Sequence, residues 1–96
     1  MQRRRLNEAE RDAALAGLPH WRLQGEVLRR ELVFRDFREA FAFMTRVAAL
    51  AETLHHHPDW HNAYNRLVIE LTTHDLHALS PLDAELARRI EALLEG

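Results

Sequence analysis

Apolar residues between Asp36 and Leu54 recur at helical spacing, and they do so on two sides of the same helix. Phe37, Phe41, Met44, Ala48 and Ala51 form one stripe; Ala40, Phe43, Val47, Leu50 and Leu54 form a second. Only a narrow strip of Arg38, Glu39, Thr45, Arg46 and Glu52 is polar. A helix apolar over most of its circumference is buried on more than one side. A chain of 96 residues has no large core to surround it. One stripe is therefore expected on a sheet and the other on a second subunit; a plain central helix is the simpler alternative.

The segments around this helix carry strand patterns. HWRLQ and EVLRRELVF, with Gly25 as the turn, read as a hairpin in which Leu28, Leu32 and Phe34 share a face and Arg30 breaks the alternation. WHNAY and RLVIELTT read as a second hairpin turning near Asn65, with Leu67, Ile69 and Leu71 on the buried face. His74 is expected to end that strand. Asn7 with Glu10 is a capping pair that starts a first helix running through Arg11 to Ala16, and Gly17 suits a left-handed stop. Ser80-Pro81 opens a last helix with Leu82, Leu86, Ile90 and Leu93 as its apolar stripe. The order helix, hairpin, helix, hairpin, helix predicts an α+β fold: a four-stranded antiparallel sheet with three helices packed on one face, one domain over residues 1–96.

Composition narrows the function classes. An apolar fraction of 47% argues against disorder. The formal charge of -2 gives no general drive toward nucleic acid or an anionic membrane. All 13 basic residues are arginine, which reads as genomic composition bias. Without cysteine there is no disulfide, thiolate metal site or thiol nucleophile. MQRRRLNEAERD has no apolar run behind its arginines, and no segment approaches the ~20 apolar residues of a membrane span. A cytoplasmic protein is expected, with a frayed MQRRR.

Four of the seven histidines fall between Glu52 and Leu67, three of them consecutive: His55, His56 and His57, followed by Pro58 and Trp60. Three adjacent imidazoles cannot all point at one ion without a contorted loop. His55 with His57, or His57 with His61, could pair on an adventitious nickel or zinc ion, but no cysteine or well-spaced third ligand completes a tetrahedral set, so a native metal site fits poorly. Imidazole exchanges protons near neutral pH, and two on a loop stiffened by Pro58 suit opposite roles at one substrate. Trp60 could wall a flat ligand. Surface decoration is the plain alternative. Asp83 stands where it caps the last helix, and a polar site at that helix end would use it twice. Glu52 reads as a solvated helix residue unless the helix end abuts the site.

Glu52, His56-His57-Pro58, Tyr64, His74 and Asp83, at these spacings, resemble the motif of the pterin-4a-carbinolamine dehydratase family. FRDFREAFAFMTRVAALAE, HHPDWHNAYNRLVIELTTHD, LSPLDAELARRIE and LNEAERDAAL are similar to family segments, so the resemblance covers nearly the whole chain after about Leu6. It implies the family's α+β unit and a hydro-lyase that dehydrates 4a-hydroxytetrahydropterin to quinonoid dihydropterin, recycling pterin after aromatic amino acid hydroxylation. It implies no metal or organic cofactor, pterin being the substrate. By position His56, His57, His74 and Asp83 match the catalytic set. Glu52, Pro58 and Tyr64 match motif positions of more structural character. Trp60 resembles a tryptophan common there, and Glu52, Pro58 and Trp60 are the expected substrate-side residues. His55 departs from the pattern and reads as an extra. The resemblance also implies homodimers or homotetramers through sheet edges and the helix face, with no direct nucleic-acid or membrane binding. Animal members double as partners of a homeodomain transcription factor, which makes an interaction module, or a role in another pterin pathway, the alternative.

Overall fold

The computed structural model describes residues 2–96. Helix α1 (Glu8–Ala16) begins where Asn7 and Glu10 exchange side-chain-to-backbone hydrogen bonds, closing the capping box. It ends at Gly17 with φ −90°, so the left-handed stop expected there is not used; a tight turn through Leu18 replaces it. The next elements are β1 (Arg22–Gln24), β2 (Val27–Val33), α2 (Phe37–Leu54), β3 (Asp59–Ala63), β4 (Arg66–Leu71) and α3 (Pro81–Glu95), with one short 3-10 turn at His74–Leu76. Three helices and a four-stranded antiparallel sheet, in the order α-β-β-α-β-β-α, make the α+β fold expected from the pattern.

The strands lie in the order β1-β2-β4-β3, so β2 and β4 are central. Their register places Leu28 opposite Leu71 and Leu32 opposite Leu67, and β3 sets Trp60 opposite Ile69. Side chains alternate across a sheet, so these residues share the face covered by the helices. Leu67, Ile69 and Leu71 are fully buried and meet Phe43 and Val47 of α2 and Leu86, Ala87 and Ile90 of α3. Each such large side chain contributes about 1.5–3 kcal/mol by leaving water. Arg30, which breaks the alternation of β2, faces inward with them: its Nε donates to Glu91 of α3 at 2.8 Å, and Trp21 Nε1 donates to the same oxygen at 2.7 Å. The opposite face mixes charged residues with valines: Arg29 is bonded to Glu70 and Arg66 lies near Glu31, beside Val68 and the exposed Val33.

Both hairpins turn over two residues. Gly25 takes φ +63°, a left-handed conformation open to glycine without a side-chain clash. In the second, Tyr64 takes φ 52°, held by Asn62 Nδ2 donating to the carbonyls of Tyr64 and Arg66. Helix α2 turns Ala40, Phe43, Val47 and Ala51 inward. Helical spacing puts Ala51 in the other stripe, but the helix seats it against the core. Of the remainder of that stripe, Met44 packs against the margin of the core, while Phe37, Phe41 and Ala48 stay outside; the two phenylalanines are about half exposed, 47% and 54%, and stack on each other at 5.6 Å. Among the described residues, no helix is long and apolar enough to cross a membrane.

Candidate active site

The histidine run sits where α2 ends. His55 takes φ 52°, and its N–H together with that of His56 satisfies the last carbonyls of the helix, so the chain turns sharply out of α2. His55 thus has a backbone task, and its side chain is exposed. The turn sends His56 inward and leaves His57 outside, and Pro58 leads into β3.

His56 is 6% exposed and its Nε2 lies 2.5 Å from Oδ1 of the fully buried Asp83. A carboxylate accepts, so Nε2–H is the donor. The other carboxylate oxygen of Asp83 accepts from the Thr73 hydroxyl at 2.8 Å and the Ser80 amide at 2.9 Å. Ser80 is the N-cap of α3 and Asp83 the reciprocal member of its capping box. One side chain therefore starts a helix and fixes a histidine, the double use its position suggested.

His57 is exposed and hydrogen-bonded through Nε2 to Glu52, one turn back on α2. That hydrogen bond, and the charge of the His57 ring behind it, hold the Glu52 carboxyl below its ordinary range. His74 was expected to end a strand. The strand stops at Leu71, and His74 opens the 3-10 turn enclosed by the Thr73–Ala78 bridge. From there its Nε2 reaches Asp59, the first residue of β3, at 2.7 Å.

Three imidazoles thus each meet one carboxylate. A cleft of about 380 Å³ joins them, lined by Arg3, His55, His56, His57, Pro58, Asp59, His74 and Asp75. That volume lies within the ~300–1,000 Å³ of small-molecule sites. Glu52 stands behind His57 and outside the lining. Trp60 also lies outside it: the tryptophan leans toward the core and lines a neighbouring groove that shares Asp59. Tyr64 stays at the far hairpin turn. Among the described residues, no group of three or more His, Cys, Asp or Glu is arranged to hold a metal ion.

Asp59, Thr73 and Arg3 were not singled out from the sequence. Asp59 follows Pro58 directly, but its relation to His74 exists only once β3 and the 3-10 turn are side by side. Arg3 lies in the stretch expected to fray. The structure instead ties Arg3 to Asp75, Arg4 to Glu10 and Arg5 to Glu26, with Leu6 buried behind them; Met1 lies outside the described residues. The hydrogen bond from Arg3 holds the Asp75 carboxyl below its ordinary range.

The chain is similar to known proteins in sequence and in fold. A protein of Synechococcus sp. (strain WH7803), provisionally named a pterin-4-alpha-carbinolamine dehydratase, is 58% identical over 92% of this chain and 95% of its own. One of Novosphingobium aromaticivorans with the same provisional name is 51% identical over 94% and 96%. A crystal structure from Brucella melitensis, described as a transcriptional coactivator/pterin dehydratase, superposes with a TM-score of 0.88 at 42% identity, covering 94% of this chain and 98% of that one. A pterin dehydratase-like protein identified as a RuBisCO assembly factor in the alpha-carboxysome gives 0.65 at 28% identity, over 76% and 87%. The family model for pterin 4 alpha carbinolamine dehydratase matches residues 4–93, and with these relatives it makes the chain a member of that family.

Proposed function

We propose that the protein dehydrates a 4a-hydroxytetrahydropterin to quinonoid dihydropterin and water in the cytoplasm, as a metal-free hydro-lyase that recycles pterin after aromatic amino acid hydroxylation. The observation that carries this reading is the convergence of three carboxylate-held imidazoles on one cleft. The substrate loses the C4a hydroxyl and the N5 proton. One imidazolium gives its proton to the departing hydroxyl, which leaves as water; the N5 electrons form the C4a=N5 bond; a neutral imidazole takes the N5 proton. Each positioned proton transfer contributes about 10²–10⁴-fold. His57 and His74 are open to the cleft and take these two roles. His56, buried on Asp83, shapes the wall, with Pro58 beside it. Glu52 orients His57. Trp60, outside the cleft lining, stiffens the adjoining edge strand rather than touching the pterin ring.

The test is turnover of 4a-hydroxytetrahydropterin by purified protein, with and without chelator. Turnover indifferent to chelator supports the reading; loss with chelator would revive a metal role; absence of turnover would refute the activity. The stacked Phe37 and Phe41 favour a second element: copies of the chain meet through this face of α2 to form a homo-oligomer. A monomer in light scattering would remove that element. The names of relatives as a coactivator and as an assembly factor keep partner binding as the alternative function.

A further inference from the structure

We propose that Asp59 is a positioning residue that sets the His74 imidazole for proton transfer. This rests on the dehydratase reading above. Asp59 Oδ2 lies 2.7 Å from His74 Nε2. Both ends of the contact are fixed by backbone. Asp59 opens β3 directly opposite Glu70 of β4, and Glu70 is itself held by Arg29 at 2.8 Å. His74 opens a 3-10 turn whose ends are pinned by the Thr73–Ala78 bridge. The contact therefore joins two ordered elements across one wall of the cleft, and both residues line it.

Stability does not account for the pair. Both side chains are more than half exposed. Exposed ion pairs of this kind contribute only about 0–1 kcal/mol. What the contact fixes is direction. A carboxylate on Nε2–H leaves Nδ1 as the lone pair of the neutral ring and stops the ring from turning. The other two cleft histidines have the same device, Glu52 for His57 and Asp83 for His56, from other elements of the fold. Asp59 completes the set for His74, so each imidazole presents one chosen nitrogen.

The experiment uses the full chain with Asp59→Ala, Asp59→Glu, His74→Ala and the Asp59→Ala/His74→Ala double variant. Turnover of 4a-hydroxytetrahydropterin and the imidazole ¹⁵N resonances of His74 are measured. A lost general base costs about 10²–10⁴-fold; a mis-set one is expected to cost about 10- to 100-fold in kcat with little change in KM. Asp59→Glu restores part of the rate, and Asp59→Ala adds nothing once His74 is gone. The His74 nitrogen signals move in Asp59→Ala and return toward wild type in Asp59→Glu. Unchanged kcat in Asp59→Ala, an equal further loss in the His74→Ala background, or unmoved nitrogen signals would each overturn the assignment. Wild-type protein that fails to turn over the carbinolamine refutes the dehydratase reading instead, and the nitrogen spectra alone then decide whether Asp59 holds His74.

Discussion

Asp83→Ala attacks the point where the fold and the cleft share a side chain. The carboxylate accepts from His56, Thr73 and Ser80, all buried. Thr73 keeps the Ser80 hydroxyl at 2.6 Å as a partner, which leaves the His56 N–H and the Ser80 amide stranded. A buried polar group without a partner costs about 1–3 kcal/mol, so two cost roughly 2–6 and about 4 is expected. That is a large share of the ~5–15 kcal/mol that holds a small domain. With a urea dependence of about 1.5 kcal/mol per M, the unfolding midpoint falls by roughly 2–3 M. Asp83→Asn separates folding from chemistry. Its amide keeps an acceptor for the Ser80 side and turns a donor toward His56, which must then accept through Nε2 and carry its proton on the other nitrogen. The expected loss is about 1–2 kcal/mol of stability but at least about tenfold in kcat. Urea melts by circular dichroism and turnover assays check both. An Asp83→Ala midpoint within about 0.5 M of wild type would refute the reasoning, because the stranded groups would then have found other partners.

The remaining expectations are narrower. His57→Ala and His74→Ala each lower kcat by about 10²-fold or more in the dehydratase assay, whereas His55→Ala leaves it near wild type. His55→Gly, relieving a side chain at φ 52°, raises stability by up to about 1 kcal/mol in the same urea melts with turnover unchanged. The hydrogen bond from Arg4, with a smaller one from the Asn7 amide, lowers the Glu10 pKa from 4.5 to about 2. A carboxyl depressed on folding contributes above its unfolded pKa and loses that contribution as pH falls through the folded one. Melting temperature should therefore decline between pH 4.5 and about 2, and Glu10→Gln should flatten part of that slope. Phe41→Asp lowers the molar mass seen by light scattering if copies meet on the outer face of α2.

Local chemistry made much of the fold legible. The capping boxes at Asn7–Glu10 and Ser80–Asp83 are short-range patterns, and both helices begin where those residues stand. Leu67, Ile69 and Leu71 gave the face of β4 by alternation alone. What escaped depends on partners far along the chain. Arg30 looks like an error in β2 until Glu91 arrives from α3, sixty-one residues later. Gly17 permits a left-handed stop, but the turn into Leu18 has no use for one. Ala51 is too small to declare a face. Of the cleft, Asp83 was readable because its capping position is local, and Asp59 was not, because nothing near it in sequence marks His74 as its neighbour. Trp60 was read as a ligand wall from its chemistry, whereas strand alternation turns it toward the core opposite Ile69.

The burial of the His56–Asp83 pair bears on how relatives diverge. Selection on folding alone retains it, because a chain that abandons turnover still needs its last helix started and its buried imidazole satisfied. The exposed pairs, His57 with Glu52 and His74 with Asp59, have no such protection: on the proposed chemistry only turnover holds them in place. On the proposed chemistry the outer histidines, and not the inner pair, are the positions whose retention reports on turnover alone.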